Sequence, residues 1–125
     1  GVQFVSDGPV YASVDTEQWS RIIHNLIKNA LQSVPEDRQP EVMVRVKKEQ
    51  GKGIISVSDN GTGIPDEMKE RVFEPNFTTK SSGMGLGLAM VKNLIQNFGG
   101  TIAFENGKRG AVFTITIPTK QNNLS

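Results

Sequence analysis

The segment Ser81–Gly100, SSGMGLGLAMVKNLIQNFGG, sets three glycines at alternate positions directly ahead of a stretch with helical periodicity. The spacing of its apolar residues predicts a helix over Leu86–Phe98, and Gly99-Gly100 predicts where it ends. The residues predicted to face inward are Leu88, Val91, Leu94, Ile95 and Phe98. Free N–H groups at a helix N-terminus attract anions, so the glycine loop suits a phosphate. Short glycine motifs also recur by chance, and a flexible turn explains this one equally well.

Composition limits the class of protein. The 125 residues suffice for one domain with a real core, and a net charge of +1 argues against a nucleic-acid coat. Cysteine is absent, so neither disulfides nor thiolate chemistry are available, which is compatible with a reducing compartment. No apolar run approaches the roughly 20 residues of a membrane span, and no signal peptide is evident. Because the first residue is Gly1 rather than Met, we interpret the chain as a piece of a longer protein.

The remaining elements indicate one α/β domain over residues 1–125, with residues 1–8 and 119–125 peripheral or frayed. Asp15 is a predicted N-cap for a helix that Pro35 stops. Its apolar stripe is Trp19, Ile22, Ile23, Leu26, Ile27, Ala30, Leu31 and Val34. The predicted strands are 2–5, 10–15, 41–48, 52–59, 101–106 and 111–118, with hairpin turns at 49–53 and 107–110. A short helix is predicted over Asp66–Arg71 and a long loop over residues 74–85.

The first helix carries a polar face. Asn25 and Asn29 are four residues apart and therefore lie on the same side, together with Gln32. Two amide oxygens in register could ligate a hard cation such as Mg²⁺. A solvated face that merely tolerates asparagine is the alternative, and the helix alone leaves both open.

The stretch DNGTGIP follows a buried-looking strand and begins with Asp59. A carboxylate at a strand end can accept a hydrogen bond from an exocyclic amino group. Gly61 and Gly63 beside it would let a flat ring approach the backbone, because no Cβ stands in the way. A tight turn that uses Asp and Gly only for their conformational freedom is equally compatible with the residues.

The glycine loop is neither a P-loop nor a good dinucleotide fingerprint. No Lys-Ser/Thr pair follows it, the spacing is GxGxG, and a polar loop rather than a strand precedes it. Thr78, Thr79 and Lys80 lie just upstream and offer hydroxyls and a positive charge to phosphates.

Taken together, the four motifs are far more specific than any one of them. In order they are HNLIKNALQS, DNGTGIP, FEPNFTTK and GMGLGLAM. This series resembles the N box, first glycine box, F box and second glycine box of the sensor histidine kinases, over about Asp15 to Pro118. The family's fold is the Bergerat ATP-binding fold, shared with DNA gyrase, a heat-shock chaperone and the mismatch-repair MutL proteins. The resemblance implies a two-layer α/β sandwich with a mixed sheet, helices on one face and a mobile ATP lid.

The resemblance also implies roles for individual residues. Asn29 would ligate Mg²⁺, and Asn25 would support the catalytic site from the same helix face. Asp59 would receive the adenine amino group, with Gly61, Gly63 and Ile64 around the ring. The lid would contain Phe73, Phe77, Thr78, Thr79 and Lys80. Gly83, Gly85 and Gly87 would offer backbone amides to the phosphates, with Met84, Leu86 and Leu88 in the same loop and helix start.

The implied activity is that of a protein histidine kinase domain that binds ATP and Mg²⁺. It would phosphorylate a histidine on a separate dimerisation domain, for relay to a response regulator. Members of the superfamily that hydrolyse ATP carry a Glu general base where this chain has Asn25, and an amide cannot take a proton. We expect a cytoplasmic domain, free-standing or the cytosolic portion of a membrane-bound sensor. It would have no direct contact with membrane or nucleic acid.

The chain departs from the family pattern at four positions. Gln32 stands where many histidine kinases have Lys, although we retain it among the nucleotide-binding residues, and Ser33 stands where many have an aromatic residue. Asn76 replaces a frequent lid Phe, and Ala111 replaces a frequent Thr. These positions bear on affinity rather than on the core of the motifs.

His24 is the only histidine, but its context His-Asn-Leu-Ile-Lys does not match the family's phosphoacceptor segment. We expect a partly buried packing residue off the Asn25/Asn29 face, and a chain that cannot autophosphorylate. Two rival functions remain open. One is a serine protein kinase of the anti-sigma-factor class on the same fold. The other is a degenerate, non-catalytic nucleotide-binding or interaction domain.

Overall fold

A computed structural model describes residues 1–6, 8, 14–74, 85–107 and 109–119, with only the backbone for 85–87. Its five-stranded sheet has the order β1-β2-β3-β5-β4. The strands are β1 (Val2–Ser6), β2 (Val42–Glu49), β3 (Lys52–Asp59), β4 (Thr101–Asn106) and β5 (Ala111–Pro118), and the helices are α1 (Thr16–Gln32) and α2 (Gly85–Asn97). β1 runs parallel to β2 and the other neighbours are antiparallel, so the sheet is mixed as predicted.

Alternation along the strands selects the face that the helices cover. In β3 every second residue from Gly53 to Asp59 is buried, and in β5 the same holds from Ala111 to Ile117. Aligned registers stack these side chains in rows across the sheet, such as Val44, Val57 and Phe113. Both helices contribute to this one core, which confirms a two-layer arrangement with helices on one face.

Helix α1 begins as the sequence predicts. The Asp15 carboxylate accepts a hydrogen bond from the Gln18 N–H at 2.9 Å, which satisfies one of the free N–H groups of the first turn. Ile22, Leu26 and Ala30 are its buried residues. Leu31, predicted within the apolar stripe, is 36% exposed because it lies one residue beyond this buried line. The helix ends at Gln32, ahead of Pro35.

Helix α2 ends at the predicted glycine pair. Gly99 adopts a left-handed φ of 79°, and its N–H donates to the Gln96 carbonyl at 3.0 Å. The Gly100 N–H donates to the Ile95 carbonyl at 2.9 Å, which completes a Schellman motif. A Cβ on Gly100 would lie 2.7 Å from the Ile117 side chain, so a glycine is also required for helix-to-sheet packing.

The connections agree in part with the predictions. Asp66–Arg71 is a 3-10 helix, and β3, β4 and β5 span the predicted residues. Most of the predicted strand at 10–15, the tail at 120–125 and the lid residues 75–84 lie outside the described residues. In the described part of the chain, neither helix has the length and hydropathy to cross a bilayer.

Candidate functional site

Asp59 ends β3, the central strand of the sheet, and its side chain is only 7% exposed. Its Oδ1 accepts two backbone hydrogen bonds, from Gly61 N–H at 2.8 Å and from Ala111 N–H at 3.2 Å. Among the residues that the structure describes, no donor reaches Oδ2. A buried carboxylate oxygen without a donor is costly, and an exocyclic amino group would satisfy it. The structure therefore offers an orphaned acceptor at the position predicted to receive adenine.

Two glycines allow the protein to pack closely around this carboxylate. A Cβ on Gly110 would collide with the Asp59 side chain and lie 2.6 Å from the Gly61 nitrogen. A Cβ on Gly61 would lie 2.6 Å from both the carbonyl oxygen and Oγ of Ser33. Gly61 therefore packs against the residue that follows α1, and Gly110 packs against the turn from the β5 side.

The contact between Gly61 and Ser33 brings the end of α1 to the turn formed by residues 59–64, which we call the Asp59 turn. The Ser33 hydroxyl donates to the Ala30 carbonyl at 2.8 Å. Its backbone N–H donates to the Asn29 carbonyl at 3.1 Å. The small side chain thus closes the helix end and leaves room for the glycine turn beside it.

Asn25 and Asn29 flank the buried line of α1, each one residue before a buried one, and both are half-buried. The Asn25 side-chain NH₂ donates to the Arg21 carbonyl at 2.8 Å, which orients this amide along the helix. The Asn29 amide makes no hydrogen bond within the described residues. Gln32 is exposed at the last turn. The helix-face prediction for these residues agrees with their placement, and their roles toward a ligand remain predictions.

Asn60, which the sequence did not single out, connects the turn to the segment before β2. Its side chain is 7% exposed. Its Nδ2 donates to the Gln39 carbonyl and its Oδ1 accepts from the Glu41 N–H, both at 2.9 Å. The Arg38 guanidinium donates to the Asn60 carbonyl at 2.8 Å. These bonds fix one flank of the turn to a loop about twenty residues away in sequence.

Asn106, also missed from the sequence, holds the other flank. Its Oδ1 accepts from the Ile64 N–H at 3.0 Å, and its Nδ2 donates to the Ile64 carbonyl at 2.9 Å. Gly63 has a left-handed φ of 76°, as a glycine in a turn permits. The sequence signal for such contacts is weak, because the partners are backbone groups that every residue carries.

Comparison with known proteins agrees with this geometry. The profile of the histidine kinase-, DNA gyrase B- and HSP90-like ATPase family matches residues 14–121. The catalytic domain of histidine kinase ThkA is 33% identical, with a TM-score of 0.83 over 94% of this chain and 77% of that structure. The chain belongs to this ATPase family. It is a catalytic domain of the histidine kinase type.

Two further comparisons are with proteins much longer than this chain. The sensory histidine kinase/phosphatase NtrB of Azospirillum brasilense is 36% identical over 124 residues, covering 88% of this chain. The chain spans only 30% of NtrB. ThkA has also been solved in complex with the response regulator TrrA, and that structure is 30% identical with a TM-score of 0.79. It covers 95% of this chain and 34% of the ThkA chain.

In this kinase domain the start of the predicted lid is packed against the core. Phe73, assigned to the lid by resemblance, sets its ring edge-on to Phe113, with centroids 6.0 Å apart. Lys92 of α2 lies over the same ring at 5.5 Å, and the preceding Val72 is fully buried. Phe73 is therefore held against the core at the point where the predicted lid begins.

The rest of the predicted lid and phosphate loop is only partly described. Phe77, Thr78, Thr79, Lys80, Gly83 and Met84 lie outside the described residues, as does Asn76. Gly85, Leu86 and Gly87 form the first turn of α2, which starts one residue earlier than predicted. Leu88 is 5% exposed and belongs to the core. The helix start thus presents backbone N–H groups at the end of the predicted phosphate loop.

The prediction for His24 is wrong in one respect. The residue is exposed rather than partly buried. It lies two positions from both Ile22 and Leu26, about 200° around the helix from that buried line. His24 therefore points away from the core, although it does lie off the face of Asn25 and Asn29.

Proposed function

We propose that this domain binds Mg-ATP and donates the γ-phosphoryl group to a histidine on a separate dimerisation domain. The orphaned Oδ2 of Asp59 is the observation that carries the proposal. A buried carboxylate with one oxygen fixed by two N–H groups, and the other without a donor among the described residues, is preorganised for an amino group. The 6-amino group of adenine supplies such a donor.

The residues around Asp59 suit a flat ring. The fixed Ile64 would provide an apolar side chain to a ring beside Asp59, and the bare Cα atoms of Gly61 and Gly63 let Ser33 and Asn106 pack against the turn that carries it. At the other end of the ligand, the first turn of α2 offers N–H groups to phosphates. These contacts bind and orient the nucleotide, which is most of what phosphoryl transfer asks of a protein.

Asn29 fits the magnesium role that the family implies. Its half-buried amide makes no hydrogen bond in the described part of the chain, and Mg²⁺ takes oxygen ligands while keeping several waters. The bound ion would neutralise charge on the phosphates. Asn25 lies one turn earlier on the same face, and its amide cannot accept a proton, so it cannot activate water as a general base. The domain would therefore hold ATP until an acceptor arrives.

The partners belong to the proposal as well. The structure of ThkA with TrrA supports a response regulator as the downstream partner, and the chain's small share of NtrB supports an acceptor on another domain. We place the domain in the cytoplasm, where ATP is available.

The first test is calorimetric titration of Mg-ATP on the native chain and on Asp59→Asn. The amide keeps an acceptor for Gly61 and Ala111 but sets an NH₂ against the adenine amino group. We expect a loss of about 100-fold in affinity, since the lost hydrogen bond involves a charged group. Asp66→Asn removes the same charge from an exposed site and is the matched control. Equal affinity in Asp59→Asn and the native chain would remove the adenine assignment.

A second test identifies the acceptor. The native chain is incubated with γ-labelled ATP, alone and with a histidine-bearing dimerisation domain from a related kinase. We expect label on that domain in an acid-labile, base-stable form, and none on the chain itself. Label on serine would favour the anti-sigma-factor type of kinase. ATP binding without transfer to any acceptor would favour a non-catalytic domain, and label on His24 would contradict the missing-acceptor hypothesis.

A further inference from the structure

We propose that Asn106 is a positioning residue for adenine recognition. Its side-chain amide fixes the far end of the Asp59 turn, so that the carboxylate keeps the orientation that reads the 6-amino group. This inference rests on the proposed function and adds to it a residue outside the four motifs.

The Asn106 side chain makes two hydrogen bonds to a single residue, Ile64. Asn106 faces the Ile64 N–H with its oxygen and the Ile64 carbonyl with its NH₂, at 3.0 and 2.9 Å. Complementary partners on both sides define which way the amide points. The pair joins residues 42 apart in sequence and has the bonding pattern of a β-bridge, although one partner is a side chain.

Gly63 makes this approach possible. A Cβ at that position would lie 2.6 Å from the Asn106 Oδ1. The second glycine of the turn therefore serves two purposes, since its left-handed φ of 76° turns the chain and its bare Cα admits the amide. The hydrogen bonds of Asn106 therefore depend on a glycine at position 63.

The β4–β5 hairpin thereby holds the turn at both ends. At the start of β5, the Ala111 N–H binds Asp59 Oδ1, and Gly110 packs against Asp59 and Gly61. At the end of β4, Asn106 binds Ile64. With one end released, the segment from Gly61 to Ile64 is free to move, and with it the Gly61 N–H that orients Asp59.

Because Asn106 is exposed, its effect on nucleotide recognition can be distinguished from its effect on folding stability. Its side chain lies at the surface, where water can replace either hydrogen bond, so their loss should alter global stability little. The geometry of the turn has no such substitute. An effect on recognition that exceeds the effect on folding is therefore the signature of this role.

The experiment uses three variants of the chain. Asn106→Ala removes both hydrogen bonds. Asn106→Asp keeps an acceptor for the Ile64 N–H but sets a second oxygen against the Ile64 carbonyl. Glu105→Gln changes the exposed neighbour on the same strand and is the control. Each is titrated with Mg-ATP and with Mg-ITP, whose base has a carbonyl in place of the 6-amino group, so that its 6-position cannot donate to Asp59.

We expect Asn106→Ala and Asn106→Asp to lose about tenfold in ATP affinity, while ITP affinity changes by less than about twofold. The ratio of ATP to ITP affinity should therefore fall, with Glu105→Gln unchanged. A purely structural role would lower the folded fraction and weaken both nucleotides by the same factor, leaving their ratio intact.

Two results would overturn the inference. One is native ATP affinity in Asn106→Ala, and the other is an equal loss for ATP and ITP. Failure of the native chain to bind ATP would instead contradict the proposed function, so the two ideas fail in distinguishable ways. The unfolding midpoint of each variant, measured in parallel, checks that the folded domain is being compared.

Discussion

The two β-hairpins of the sheet use glycine for different reasons. Between β2 and β3, Gln50 and Gly51 form a two-residue turn with left-handed φ values of 52° and 77°. Between β4 and β5, Gly110 has no left-handed φ and instead lies against Asp59 and Gly61. A Cβ on Gly51 would meet nothing within 4 Å. Gly51 provides a backbone conformation, and Gly110 allows close packing against Asp59 and Gly61.

A glycine's role therefore cannot be inferred from its presence in a hairpin alone. At Gly51 the penalty for a side chain is local strain. At Gly110 the penalty is a collision with a carboxylate and an amide that the proposed site requires. Substitutions at the two turns should therefore separate stability from nucleotide binding.

The largest effect is expected for Gly110→Ala. The added methyl group would displace the Asp59 carboxylate or the Gly61 N–H, so the site and the local packing both suffer. We expect about 100-fold weaker ATP binding and a loss of about 1–3 kcal/mol in the free energy of unfolding. Calorimetric titration and denaturant unfolding measure the two quantities. Native-like binding in this variant would show that the turn tolerates rearrangement.

Gly51→Ala should affect stability alone. An alanine at a φ of 77° is strained, and we expect a loss of about 1 kcal/mol in the free energy of unfolding. The turn lies at the opposite end of β3 from Asp59, so ATP affinity should stay within about twofold of the native value. A larger loss of affinity here would break the contrast between the hairpins.

The smallest effect, and the only gain, is expected at the preceding residue. Gln50 occupies a left-handed conformation that asparagine adopts more readily, and Asn-Gly is the preferred pair for such turns. We expect Gln50→Asn to raise the free energy of unfolding by about 0.5 kcal/mol with unchanged ATP affinity. Thermal unfolding of the two proteins in one buffer measures the difference. A decrease in stability would argue against the left-handed turn.

Much of the fold was predictable because its signals are local. The Asp15 cap, the end of α2 at Gly99 and the bounds of β3 depend on neighbours within a few residues. Alternation in β5 likewise indicates which side chains are buried. The last residue of α1 was not predicted, because a proline marks the furthest point that a helix can reach and leaves its last residue undetermined.

The support of the site was not predictable in the same way. Asp59 stood out through its motif, yet the N–H groups that hold it belong to Gly61 and to Ala111, 52 residues away. Asn60 and Asn106 bind backbone groups, which leave no trace in composition or periodicity. His24 was predicted wrongly for a different reason. Its apolar neighbours in the sequence suggested burial, but the helix turns its side chain outward.

The parallel pairing of β1 with β2 places the start of the chain at the same end of the sheet as Asp59. Val2 pairs with Val42, which pairs with Asp59, so a domain fused ahead of Gly1 would be tethered at the end of the sheet that holds the site. Thr119, the last residue that the structure describes, bonds to Gly51 at the opposite end of β3, about 23 Å away at the rise of a β-strand. In the proposed reaction, an acceptor joined ahead of Gly1 would meet the nucleotide at a higher effective concentration than an acceptor attached at the opposite end of the sheet or supplied as a separate molecule.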